Sequence, residues 1–139
     1  MRPVLQSYID AGKVNLVYKH SAFLGQESVW AAQAAECAAD QGKFFEYHDL
    51  LWERWSGENQ GTFVKDNLIA FAKELNLDMA KFEPCLTNDE TLQRVIDDTQ
   101  EGRQVGVTGT PTFFINGKPL VGAQPAEAFQ AQIEAVLGQ

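Results

Sequence analysis

Apolar residues recur every three or four positions along most of this chain and change to alternation only near its C-terminal end, a pattern of helices followed by a short hairpin. Residues 3–11 read as a short helix that stops at Gly12, where glycine accepts a left-handed cap. Residues 13–20 alternate weakly and contain Val14, Leu16, Val17 and Tyr18, which predicts a strand buried on both faces. Residues 28–40 are alanine-rich, carry Trp30, Ala34 and Cys37 at helical spacing, and run out at Gly42. A second helix over residues 44–55 repeats Phe44, Tyr47, Leu51 and Trp55 along one stripe, which predicts a packing face.

Residues 64–75 continue the pattern through Leu68, Phe71, Ala72 and Leu75, with Asn76 suited to a C-terminal cap. Asp78 is expected to cap a short helix through Leu86, and Asn88 to cap a longer one that carries Leu92, Val95 and Ile96 towards Val105. The period then becomes two. Residues 112–115 and 119–121 read as strands around an Asn116-Gly117 turn. Pro125 fits a first helical turn, and Phe129, Ile133, Val136 and Leu137 form the apolar side of a last helix. A strand, a long helical excursion and a second strand demand a crossover with helices covering the sheet, so the fold class is α/β.

The stretch before the hairpin carries the candidate chemistry. Proline lacks an N–H and restricts its predecessor, so Thr110-Pro111 is expected to open the first strand. X-Pro bonds also adopt cis at little cost, and a cis bond here would turn the Thr110 backbone outward as a hydrogen-bonding rim for an extended peptide.

The run Gly109-Thr110-Pro111-Thr112-Phe113-Phe114-Ile115-Asn116-Gly117 resembles the cis-proline loop and hairpin of the DsbA-like thioredoxin-fold oxidoreductases, in the branch with a helical insertion. Ala34-Ala35-Glu36-Cys37-Ala38-Ala39 followed by residues 41–51 resembles the start of that insertion, and Phe82-Glu83-Pro84-Cys85-Leu86 a later helix in it. The resemblance spans nearly the whole chain in order. It implies a thioredoxin-like sheet formed by residues 1–24 and 100–139, with an inserted all-helical subdomain at residues 25–99. It also implies dithiol–disulfide exchange with unfolded or reduced client polypeptides in a periplasmic or other extracytoplasmic setting, with Thr110 and Pro111 as the peptide-binding positions.

One departure bears on the chemistry. Members of the family open a helix with Cys-x-x-Cys, because the helix N-terminus stabilises the attacking thiolate. This chain has two cysteines, Cys37 and Cys85, and no Cys-x-x-Cys. By resemblance, residues 1–11 match the end of the helix that would bear the motif. A strand and the active-site turn, on the order of twenty to thirty residues, are then expected upstream, so that the sheet is N-terminally truncated; alternatively the protein has lost the chemistry. Without that strand the flanking strands would stand roughly 9.6 Å apart. They would have to close up, or a second copy would fill the slot as a homodimer, or the chain would be poorly stable. Two other readings stay open: a redox-inactive peptide-binding module, and a kappa-type glutathione-dependent transferase or isomerase relative whose catalytic residue also lies outside this sequence.

Composition narrows the partners. The chain has 139 residues, 45% hydrophobic and 22% charged, as an ordinary globular domain does. A net charge of −8 disfavours nucleic acid and anionic membrane surfaces, and no apolar run approaches the roughly 20 residues of a membrane span. Glu27 and Asp97-Asp98 read as solvated helix faces. With no Cys/His cluster, neither a metal nor a cofactor is expected.

Cys37 and Cys85 have two readings: buried hydrophobes, or a structural disulfide, as similar family members often carry. A loop of this length would contribute roughly 4 kcal/mol in the chain-entropy account. Neither is expected to be catalytic. His20 ends the first expected strand and is a candidate for the peptide groove, whereas His48 is expected to fix helix packing. Trp30, Trp52 and Trp55, with Phe44 and Phe45, read from their helical spacing as core. Phe113 and Phe114 point to opposite faces of one strand, and both can be buried if helices cover both sides.

Overall fold

The computed structural model describes residues 2–138. These fall into two compact units, one of residues 1–19 with 103–139 and one of residues 20–102.

The larger unit is helical. Its elements are α2 (Gln26–Ala39), α3 (Phe44–Arg54), α4 (Lys65–Glu74), α5 (Met79–Thr87) and most of α6 (Leu92–Gln104), after α1 (Arg2–Asp10) of the other unit. Small side chains explain how α2 sits at its centre. Ala34, Ala35 and Ala38 are buried and let neighbouring helices approach closely, and Tyr47, Leu68, Phe82 and Leu86 fill the space around them with almost no exposure. Tyr47 and Phe82 pack with ring centroids 5.6 Å apart, and the Tyr47 hydroxyl donates to the Leu68 carbonyl at 2.8 Å.

The ends of these helices follow local chemistry. Gly42 and Asn76 adopt positive φ, of 71° and 55°, at the turns after α2 and α4. The Asp78 side chain accepts from the Ala80 N–H at the start of α5. Gln41 clamps that start from the α2–α3 turn, accepting from the Asp78 N–H at 2.8 Å and donating to its carbonyl at 3.1 Å. Asn88 does not cap α6. It closes the C-terminal end of α5, where its N–H bonds the Pro84 carbonyl, and α6 begins only at Leu92. Asp89 at φ 54° turns the chain between them, and the Thr91 hydroxyl donates to the Gln33 carbonyl.

The smaller unit joins α1 to a hairpin and to α7 (Ala126–Leu137). Strands β1 (Thr112–Ile115) and β2 (Lys118–Val121) pair antiparallel, with Ile115 opposite Lys118 and Phe113 opposite Leu120. Asn116 and Gly117 connect them with φ of 46° and 81°, the positive pair that a two-residue hairpin turn of matching twist needs. Leu5, Phe129 and Ile133 are buried, Phe113 meets Phe129 edge-on at 4.8 Å, and the Tyr8 hydroxyl donates to Glu134 at 2.7 Å.

Residues 13–20 form no strand, and the sheet of the described residues is the two-stranded β1–β2 pair. A strand exists only through its neighbour's ladder, and the periodicity of residues 13–20 carried no information about whether one was present. Val17 and Tyr18, expected to be buried, are 66% and 44% exposed. Phe114 is likewise 44% exposed, because α7 covers only the Phe113 face.

Candidate functional site

The open edge of β1 follows from its register. A two-residue turn between Ile115 and Lys118 makes that pair exchange hydrogen bonds, and the alternation of antiparallel ladders makes Phe113–Leu120 the next bonded pair. The Gly122 N–H donates to the Pro111 carbonyl at 2.8 Å and continues the series. The backbone groups of Thr112 and Phe114 therefore point away from β2. Pro119, which has no N–H to donate, stands opposite Phe114 in a non-bonded pair, where nothing is lost.

Thr110 and Pro111 lead into this edge. The bond between them is cis, and both residues are exposed. The Thr112 hydroxyl folds back to the Gly109 carbonyl at 2.7 Å and closes the loop locally. Among the described residues no hydrogen bond engages the Thr110 N–H or carbonyl. The loop and β1 together offer a row of backbone donors and acceptors that β2 does not use, the arrangement an added extended chain pairs with.

Cys37 and Cys85 are joined in a disulfide that ties α2 to α5. With exposures of 2% and 6%, both are shielded from solvent. The Thr91 hydroxyl lies 3.8 Å from the Cys37 sulfur. No free cysteine remains among the described residues.

His20 is the first residue of the helical unit, 6% exposed, with Nε2 2.9 Å from Glu36 Oε1 and its ring edge-on to Phe44. Its N–H donates to Asp98 Oδ2 at 3.0 Å, and the next bond in this segment runs from the Ala22 N–H to Thr99 Oγ1. Glu36 also meets Arg94, whose guanidinium holds Asp40 through two bonds of 2.7 and 3.2 Å. His48 accepts from the Trp52 indole N–H at 3.2 Å through Nε2, so its Nδ1 carries the hydrogen that meets Asp49 at 3.1 Å.

Several residues depart from the sequence reading. Trp30 and Phe44 pack against the helical core, but Trp52 and Trp55 are 66% and 53% exposed. The buried face of α3 runs through Tyr47 and Leu50, and Trp55 lies just past the last turn, so the expected stripe leaves the core at its end. Glu27 and Asp98 are not simply solvated. Glu27 accepts from the N–H groups of Gly61 and Phe63 at 2.8 and 2.9 Å and pins the loop between α3 and α4, and Asp98 holds the His20 backbone. Those partners lie 34 to 78 residues away in sequence, beyond the reach of any local pattern.

A family model described as Thioredoxin matches residues 1–135. Over 103 residues the chain is 38% identical to a Na(+)/H(+) antiporter NhaA 1 of Salinispora arenicola, a match that covers 74% of this chain and 15% of that protein. A probable disulfide bond formation protein D of Bacillus cereus is 27% identical over 116 residues, covering 81% of this chain and 54% of the relative. The chain therefore spans only part of the length of either relative. The oxidised crystal structure of BdbD from Bacillus subtilis superposes with a TM-score of 0.88 at 21% identity, over 100% of this chain and 77% of that one. The fold is thioredoxin-like, with seven helices and a two-stranded sheet among the described residues.

Proposed function

This chain belongs to the thioredoxin family, and on that premise we propose that it is the client-holding body of a DsbA-like thiol–disulfide oxidoreductase. An extended segment of an unfolded or reduced client pairs with the β1 edge at Thr110, Thr112 and Phe114. Exchange with that client's sulfurs belongs to a Cys-x-x-Cys that these 139 residues do not contain. In that exchange one thiolate attacks a client disulfide and expels a client thiolate, and the second cysteine then resolves the mixed bond, leaving the client reduced and the pair oxidised; the reverse sequence oxidises the client.

The observation that carries this reading is the state of the two cysteines. Joined and buried in the helical unit, they present no thiolate, while the backbone edge leading from Thr110 is open. The charge of −8 agrees with polypeptide rather than nucleic-acid partners. A structural disulfide persists in oxidising compartments, which supports extracytoplasmic work.

The test is turnover by this 139-residue chain. Insulin reduction and the refolding of a reduced client are both expected to stay at the uncatalysed background. Turnover that survives a Cys37→Ala, Cys85→Ala double change would place the chemistry elsewhere in the chain and defeat the proposal.

A further inference from the structure

The helical unit carries an exposed aromatic pair that client holding at β1 does not use. Trp52 lies in the last turn of α3 and Trp55 follows the helix, 66% and 53% exposed. Residues 40–43 join α2 and α3 by a short turn and the two helices pack together, so the end of α3 returns to the start of α2. There Phe23 and Leu24 are also exposed, at 48% and 41%. The loop after Trp55 is fastened to this spot. Asn59 donates to the Leu24 carbonyl at 2.9 Å, and its side chain lies so close to Gly25 that a Cβ there would stand 2.7 Å from Asn59 Oδ1. Together with the Glu27 bonds to Gly61 and Phe63, these contacts fasten the loop that follows Trp55 to the start of α2.

The unpaired charge next to the two tryptophans in sequence is negative. Glu53 and Glu58 are exposed and form no ion pair among the described residues, and the adjacent Arg54 is engaged by Glu74. The Trp52 indole N–H is taken by His48, so the ring itself is what a partner meets. Indole faces attract ammonium and guanidinium groups, and carboxylates beside them add to that attraction. We propose that the Trp52–Trp55 face docks a Lys/Arg-bearing segment of a partner polypeptide. The acidic rim and the net charge of −8 set it against anionic lipid.

The experiment titrates a fluorescently labelled peptide of alternating Lys, Arg and Leu with the full chain at low salt, and follows anisotropy. Trp52→Ala, Trp55→Ala keeps the charge, so loss of two cation–π contacts is expected to weaken binding roughly tenfold. Glu53→Gln, Glu58→Gln is expected to weaken it several-fold and to flatten its salt dependence. Thermal unfolding confirms that each variant is folded. On the unmutated chain, the peptide is expected to shield tryptophan fluorescence from acrylamide. Three results each overturn the proposal: the double-alanine variant binding within twofold of the parent, equal binding of the same peptide with Glu at the Lys and Arg positions, or quenching left unchanged by saturating peptide. Tighter binding to phosphatidylglycerol vesicles than to the peptide would also overturn it, in favour of a membrane surface.

Discussion

Removing the disulfide is the perturbation whose size the structure fixes best. Cys37 and Cys85 close a loop with a sequence separation of 48, and the chain-entropy account assigns such a loop about 4 kcal/mol of stabilisation at 25 °C. Unfolding entropy of roughly 2.1 cal/mol/K per residue over 139 residues turns that into a fall in midpoint of about 14 °C. The measurement is thermal unfolding of Cys37→Ala, Cys85→Ala beside the parent, followed by far-ultraviolet circular dichroism. Burial adds a kinetic expectation. Because both cysteines are almost fully covered, a thiol reductant should cut the bond slowly in native buffer and much faster in moderate urea, where α2 and α5 separate more often. A fall of less than about 4 °C would mean a contribution under roughly 1 kcal/mol, and the idea that this bond staples the helical unit would be wrong.

Two further outcomes concern the same unit. Tyr47→Phe removes the buried hydroxyl that donates to the Leu68 carbonyl, an expected loss of about 1 kcal/mol by urea unfolding. Burial also pushes the Tyr47 phenol well above the usual tyrosine range, so the fold favours the neutral form. Its contribution is complete below pH of about 10, the unfolded tyrosine value, and is lost as pH rises beyond it; the Phe variant should therefore lose stability less steeply over that alkaline range. Glu27→Gln weakens the two charge-assisted bonds to Gly61 and Phe63, and hydrogen exchange at those two amides should quicken on the order of tenfold with the global midpoint little changed. Exchange that stays as slow as in the parent would show that something other than Glu27 holds the loop.

The helices were legible because their signals are local. Gly12, Gly42, Asn76 and Asp78 each act on the turn they occupy, and the Asn-Gly pair specifies its own hairpin. Residues 13–20 form no strand for the opposite reason: alternation describes a segment that could pair, while pairing depends on a chain elsewhere. Asn88 carries the right side chain for an N-cap, yet the left-handed Asp89 beside it sets the turn and delays α6 to Leu92. The exposure of Trp52 and Trp55 shows that spacing locates a face but not its end. Within the candidate site, Thr110 and Pro111 could be picked out by motif. The contacts of His20 with Glu36 and of Glu27 with the loop join residues brought together only by the tertiary fold.

The central claim is that an extended client adds to the free edge of β1. Hydrogen exchange of the full chain, alone and saturated with a reduced, carboxymethylated client, reads that edge at single amides. Client pairing at β1 requires the Thr112 and Phe114 amides to exchange at least tenfold more slowly in the complex, while Phe113 and Ile115, already bonded to β2, change little. Equal rates at Thr112 and Phe114 with and without bound client would contradict it.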